Sequence, residues 1–204
     1  NRYHALTLHN QVHVNHLPYM PFPPNWPTYI PKDKLANWFE AYVESMELNF
    51  WTGVEFRGGT YDAVAELWTV ELHHADGKVR EMHPCHIVMT TGVSDIPNLP
   101  DIPTLAAYKG TLIHSNAYED GEAWKGCDAL VIGTGNSGHD IAQDLYSAGA
   151  SVTLVQRSPT LIINIESSAQ FPYALYDEVP SLEDCDLITT SMPLKLMRES
   201  HRQF

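Results

Sequence analysis

Apolar positions along this chain change period several times, and each change marks a different kind of element. Leu35, Trp38, Phe39, Tyr42, Val43 and Met46 fall on one stripe at helical spacing, which predicts an amphipathic helix over Asp33–Met46. Pro31 suits its first turn, where a missing N–H costs nothing. From residue 52 to 90 the period becomes two: Val54 and Phe56, then Trp68, Val70 and Leu72, then Cys85, Ile87 and Met89. That predicts a three-stranded antiparallel meander, with turns at Gly58-Gly59 and Asp76-Gly77. From residue 128 the pattern is strand, helix, strand. Asp128–Ile132 is the first strand. Ser137–Ala148 is a helix with Ile141, Ala142, Leu145 and Ala148 toward a sheet. Gly149 stops it, and Ser151–Val155 is the second strand.

Breakers set the organisation. Five prolines between Pro18 and Pro27 forbid a helix or a central strand, so residues 1–30 read as an irregular, packed connection. Gly92, Pro97, Pro100 and Pro103 place a domain boundary near residue 105. Periodicity is lost after Pro159.

The chemistry concentrates in Gly133-Thr134-Gly135-Asn136-Ser137-Gly138. This G-x-G-x-x-G follows a predicted strand and opens a predicted helix inside a βαβ unit, the context in which such a loop binds a dinucleotide. The first glycine makes the tight turn. The second lets the backbone approach a pyrophosphate, and the third lets the helix pack close to the strand. The helix N-terminus then offers free N–H groups and partial positive charge to the phosphates. The plain alternative is a strand–turn–helix junction with incidental glycines. The second strand ends Val155-Gln156-Arg157-Ser158, without the acid that binds a ribose 2′-hydroxyl in NAD sites. Arg157 is a permanent planar cation suited to phosphate, so Arg157 and Ser158 point to NADP. A solvated surface arginine is the alternative.

Charge narrows the classes of partner. Acidic residues number 25 against 12 basic ones, for a net charge of -13, which argues against nucleic acid or an anionic membrane as partner. No apolar run is long enough to cross a bilayer, and the first residues are polar, unlike a secretory leader. The 3 cysteines, Cys85, Cys127 and Cys185, are widely spaced and suit a reducing, cytoplasmic compartment. The chain begins at Asn1 and its first methionine is Met20, so it reads as a piece of a longer protein.

The segment Tyr108-Lys109-Gly110-Thr111-Leu112-Ile113-His114-Ser115-Asn116-Ala117-Tyr118, followed by the glycine loop, resembles the fingerprint of flavin-containing monooxygenases, F-x-G-x-x-x-H-x-x-x-[FY]. Tyr108 stands for the usual Phe. Tyr118 favours the flavin-containing monooxygenases proper, with their YUCCA-like and fungal branches, over Baeyer–Villiger monooxygenases, which carry Trp there. His86–Gly92 resembles the family's A-T-G segment, and the likeness reaches to about residue 160. It implies an α/β fold of two dinucleotide-binding domains, incomplete here. Residues 1–105 would be part of an FAD domain with the meander, and 106–204 part of an NADP-binding Rossmann domain. The flavin pyrophosphate loop would lie upstream of residue 1.

The implied cofactors are FAD and NADP(H), the partners a small substrate and O2. NADPH reduces FAD, the reduced flavin takes up O2 as a C4a-hydroperoxide, and a nitrogen or sulfur nucleophile or a keto acid receives one oxygen. Val54, Thr91 and Gly92 would approach FAD. Tyr108, Gly110, His114, Ser115 and Tyr118 are the fingerprint residues, with His114 either structural or in contact with cofactor. No catalytic side chain is named, because the flavin carries the chemistry. Other readings are a Baeyer–Villiger enzyme and a non-catalytic NADP(H)-binding module.

Other clusters read as ordinary structure. His4, His9, His13 and His16, and the run His83-Pro84-Cys85-His86, lack recognised zinc spacing, and strand alternation would split Cys85 from His86. No metal site is expected. Ser137 and Ser158 lack the G-x-S-x-G elbow of a hydrolase. Asp140 and Asp144, four apart, read as a solvated helix face.

Overall fold

The computed structural model describes residues 2–92, 96–160, 162, 174–176 and 181–200. The elements run β1 (Thr7–Gln11), β2 (Tyr29–Pro31), α1 (Lys32–Ser45), β3 (Val54–Asp62), β4 (Leu67–His74), β5 (Val79–Met82), β6 (Asp128–Ile132), α2 (Asn136–Ala148), β7 (Ser151–Val155), α3 (Leu182–Ser191) and α4 (Leu194–Ser200). They divide into two compact units. One comprises residues 1–42 and 101–204, the other residues 43–100.

In the first unit β6 and β7 pair in parallel, Asp128 with Ser151 through Ile132 with Val155. The right-handed crossover between parallel strands needs an element to cover the sheet. Here α2 supplies it, burying Ile141 and Leu145 against Ala129, Val131 and Val152. Gly149 ends α2 in the left-handed region, at φ 96°, and its N–H caps the Leu145 and Tyr146 carbonyls. Tyr3 and Tyr118 complete this core.

Residues 1–30 are more ordered than the prolines suggest. β1 and β2 form an antiparallel pair, Thr7 opposite Pro31 and Gln11 opposite Tyr29, with a register shift between them. The prolines confine the irregular chain to the stretch between these strands, as expected from their missing donors. Ile30 is fully buried. In α1, Trp38 is the buried residue, stacked on Tyr42 at 5.2 Å between ring centroids and tilted against Phe22 at 4.6 Å. α3 and α4 follow the region where periodicity fades. Ser181 caps α3 by accepting the Asp184 N–H at 3.2 Å.

The second unit is the meander β3-β4-β5. Two sequence expectations shift here. Gly58-Gly59 is not a turn. It lies inside β3 at a register shift between Phe56 and Gly58, and Gly58 has φ 141°. A Cβ on Gly59 would stand 2.8 Å from Val70 Cγ1 on the facing strand, so the glycine serves a close approach. The reversal comes instead after Asp62, whose Oδ1 accepts the N–H groups of Val64 and Ala65 at 2.8 and 3.1 Å. Those donors hold the Asp62 carboxyl below the usual carboxylate range.

The third strand is Val79–Met82, not Cys85–Met89. The tight turn at Gly77, φ 85°, returns the chain at once, so Val79 already pairs with His73. Pro84 still accepts the Trp68 N–H at 2.9 Å but has no N–H to give back, and regular pairing ends before it. Residues 83–92 have no regular secondary structure. Cys85 and His86 are therefore not split by a strand pleat. Both line a shallow hollow of about 620 Å³ beside Tyr61 and Trp68. Among the described residues no group of three ligand-type side chains converges to hold a metal, and no helix is long and apolar enough to cross a membrane.

Candidate functional site

The loop between β6 and α2 has the conformation its three glycines permit. Gly133 sits at φ 116°, strained for any residue with a Cβ, and its N–H donates to the Val155 carbonyl at 2.9 Å. Gly138 is the close-packing glycine. A Cβ there would overlap the Gly133 carbonyl, whose carbon would lie only 3.1 Å away. Gly135 differs from Gly138 in space and from Gly133 in conformation: nothing stands within 4 Å of the place its Cβ would take, and its φ is not positive. It occupies the N-cap of α2 at φ -80° and ψ 177°, with no side chain capping the helix. The first helical bond runs from His139 N to the Gly135 carbonyl at 3.2 Å. The amides of Asn136, Ser137 and Gly138 thus precede the helical ladder and face an open, uncapped helix end. That is the shape of an anion cradle.

Two groups flank it. Thr134 Oγ1 lies 2.7 Å from Thr160 Oγ1, tying the loop to the chain beyond β7. Arg157 and Ser158 lie just past β7, after Gln156, and are exposed. The Ser158 carbonyl is fixed by Gln156 Nε2 at 3.1 Å, and Arg157 has no ion-pair partner among the described residues. A guanidinium without a carboxylate keeps its donors available for a phosphate.

The fingerprint segment is built around contacts of its own. Gly110 lets the Tyr108 ring lie over the backbone; a Cβ there would stand 2.8 Å from Tyr108 Cε1. His114 is half-buried and caps the single turn Ser115–Ala117, its Nδ1 accepting the Asn116 N–H at 3.2 Å. This bond gives His114 a structural task. Tyr118 is 4% exposed, and its hydroxyl donates to Asp144 Oδ2 at 2.7 Å.

Asp140 and Asp144 are not the solvated face that their spacing suggests. Tyr3 donates to Asp140 Oδ2 at 2.7 Å, and His9 Nε2 is 3.2 Å from both Asp140 oxygens. The Tyr3 and Tyr118 rings meet edge to face, 6.2 Å apart. Sequence reading missed this because helical spacing shows that two carboxylates share a face but not what covers that face. The apolar half of each tyrosine joins the core while its hydroxyl reaches a carboxylate.

Burial pushes the Tyr3 hydroxyl up to about 12, with the hydrogen bond and charge of Asp140 adding to it. Burial and then Asp144 push Tyr118 up in the same way. Raised folded-state values mean that folding favours the protonated phenols. For Tyr3 that contribution is fully present below the unfolded phenol range of about pH 10 and is lost as pH rises through about 12. Urea unfolding of Tyr3→Phe should therefore depend less on pH across that window than wild type does. At neutral pH, Tyr118→Phe should lower stability by about 1–2 kcal/mol, because Asp144 loses a charge-assisted donor. An unchanged denaturation midpoint would mean water replaces that donor without loss.

The FAD-side candidates lie in the second unit. Val54 opens β3 opposite His74, and Thr91 and Gly92 are exposed, Gly92 with φ 76°.

Known proteins resemble this chain in sequence and in fold. The model of the flavin-binding monooxygenase-like family matches residues 3–199. An indole-3-pyruvate monooxygenase of Oryza sativa subsp. japonica, YUCCA1, is 30% identical over 161 residues, covering 79% of this chain and 39% of the rice protein. This chain thus spans well under half of that relative. Among solved structures, a flavin-containing monooxygenase from Stenotrophomonas maltophilia aligns with a TM-score of 0.69 and 20% identity, over 91% of this chain and 55% of its own. A cyclohexanone monooxygenase mutant from Rhodococcus sp. Phi1, bound to NADP+, aligns with a TM-score of 0.66 and 22% identity, over 87% and 36%. At these identities the two structures show the fold, that of FAD/NAD(P)-binding flavoproteins. Because the family match runs through the meander and the glycine loop alike, the chain belongs to the flavin-binding monooxygenase-like family of oxidoreductases.

Proposed function

We propose that this chain is the NADP-binding core and part of the FAD-binding region of an FAD- and NADPH-dependent monooxygenase. Residues 106–204 are assigned to the NADP domain and residues 1–105 to the FAD domain. The observation that carries the reading is the open helix end at Gly135, with the exposed Arg157 two residues past the neighbouring strand. Bound together, the two cofactors would supply the hydride and the activation of O2. The chain's own residues bind and orient. The amides of Asn136, Ser137 and Gly138 would hold the pyrophosphate, and Arg157 and Ser158 the 2′-phosphate. Thr134 would fix the loop through Thr160, and Val54, Thr91 and Gly92 would approach the flavin.

The substrate proposed is a small nitrogen or sulfur nucleophile or a keto acid. The rice relative, named for indole-3-pyruvate, supports the keto acid. Three unpaired thiols support a cytoplasmic setting. The test is NADPH-dependent O2 uptake by the full-length protein with FAD, on a keto acid, an amine and a thioether, with one atom of labelled O2 traced into product. A ring-expanded ester from a ketone would instead identify Baeyer–Villiger chemistry. NADPH binding without any O2 uptake would identify a non-catalytic module.

A further inference from the structure

The N-terminal part of α2 is gripped from a distant part of the sequence. Tyr3 reaches Asp140 across 137 positions and is 3% exposed. Its hydroxyl donates to Asp140 Oδ2 at 2.7 Å. His9, on β1, holds the same carboxylate from its other side. The backbone fixes the approach, with His4 N donating to the Glu119 carbonyl at 2.8 Å. The carboxylate held by Tyr3 and His9 belongs to the fifth residue of α2, next to the turn whose amides face the open cradle.

We propose that Tyr3 is a positioning residue for dinucleotide binding: through Asp140 it sets the N-terminal part of α2, and with it the amides that face the cradle. This rests on the NADP reading above and refines it. The effect is on the pyrophosphate, which NADPH and NADH share, so Tyr3 governs affinity for both and selectivity for neither.

The test is a fluorescence titration of NADPH and NADH against wild type, Tyr3→Phe, Asp140→Ala and Asp140→Asn, well below each variant's melting temperature. Tyr3→Phe and Asp140→Ala should each weaken both cofactors by about three- to tenfold with the NADPH-to-NADH ratio unchanged, the size of a hydrogen bond lost at the site. Asp140→Asn keeps a carbonyl oxygen that can accept from Tyr3, and should stay within about twofold of wild type. A lower melting temperature with unchanged dissociation constants would overturn the proposal and leave Tyr3 a core residue only. So would an Asp140→Asn variant as weak as Asp140→Ala. Failure of wild type to bind either cofactor would overturn the NADP reading itself, a separate and recognisable outcome.

Discussion

Replacing Arg157 by alanine should lower the preference for NADPH over NADH by about ten- to more than a hundredfold. A hydrogen bond to a charged group is worth roughly 1.5–3 kcal/mol, and each 1.4 kcal/mol is a factor of ten. Two observations support a contact with the 2′-phosphate. Arg157 lies two residues past the end of β7, near where a dinucleotide fold meets the adenosine ribose. It is exposed and has no ion-pair partner among the described residues, so removing it breaks no ion pair there. NADH has no phosphate to lose, so its affinity should hold. The quantity to measure is the ratio of dissociation constants in the isolated chain, or of kcat/KM values in the active enzyme. A preserved ratio would make Arg157 a surface arginine and pass the phosphate to Ser158.

The glycine loop offers the second large effect, in the form of a contrast. Gly135→Ala should abolish binding of both cofactors while leaving the protein as stable as before. Its φ of -80° is open to any residue and no atom stands within 4 Å of the new methyl group. Reduced freedom of the unfolded chain could even add about 0.4–1 kcal/mol. The methyl group would fill only the space where a pyrophosphate must approach the backbone. Gly138→Ala should behave in the opposite way. Its Cβ meets the Gly133 carbonyl, and backbone cannot swing aside as a side chain can. Stability should fall by about 1–3 kcal/mol or more, with binding lost as a consequence. Melting curves beside NADPH titrations separate the two cases. A Gly135→Ala variant that binds normally would reduce the loop to a strand–turn–helix junction.

Local pattern carried the βαβ unit almost to the residue. The strands Asp128–Ile132 and Ser151–Val155 were both legible, and α2 begins one residue before the expected Ser137. That unit is built from near neighbours, and Gly133 and Gly149 mark its left-handed positions. The meander was legible in kind but not in register. Alternation continues through Cys85, Ile87 and Met89, and nothing in a period of two says which of two alternating runs will pair. The answer lay in the Gly77 turn and in Pro84, a question of donors and not of hydrophobicity. β1 was hidden because polar residues, His9 among them, fill most of it, and β2 because it is only Tyr29–Pro31. In the candidate site the glycines and Arg157 were legible. Tyr3, His9, Asp140 and Asp144 were not, since their roles depend on contacts 26 to 137 positions apart.

Those distances also order the protein's assembly during synthesis. The meander closes from contacts within 43–100 and can form as soon as that stretch leaves the ribosome. Tyr3 has to wait. Its partners Asp140, Tyr118 and Ile141 are made more than a hundred residues later. At about 5–20 residues per second the delay is roughly 6–30 s. Through that interval Tyr3 and Leu6 remain without the core they later join. Closing so long a loop is slow compared with local pairing, so docking of the N-terminal segment onto α2 would be a late event. The segment around Tyr3 is then one a chaperone has long to hold, and the βαβ unit must exist before that segment can dock.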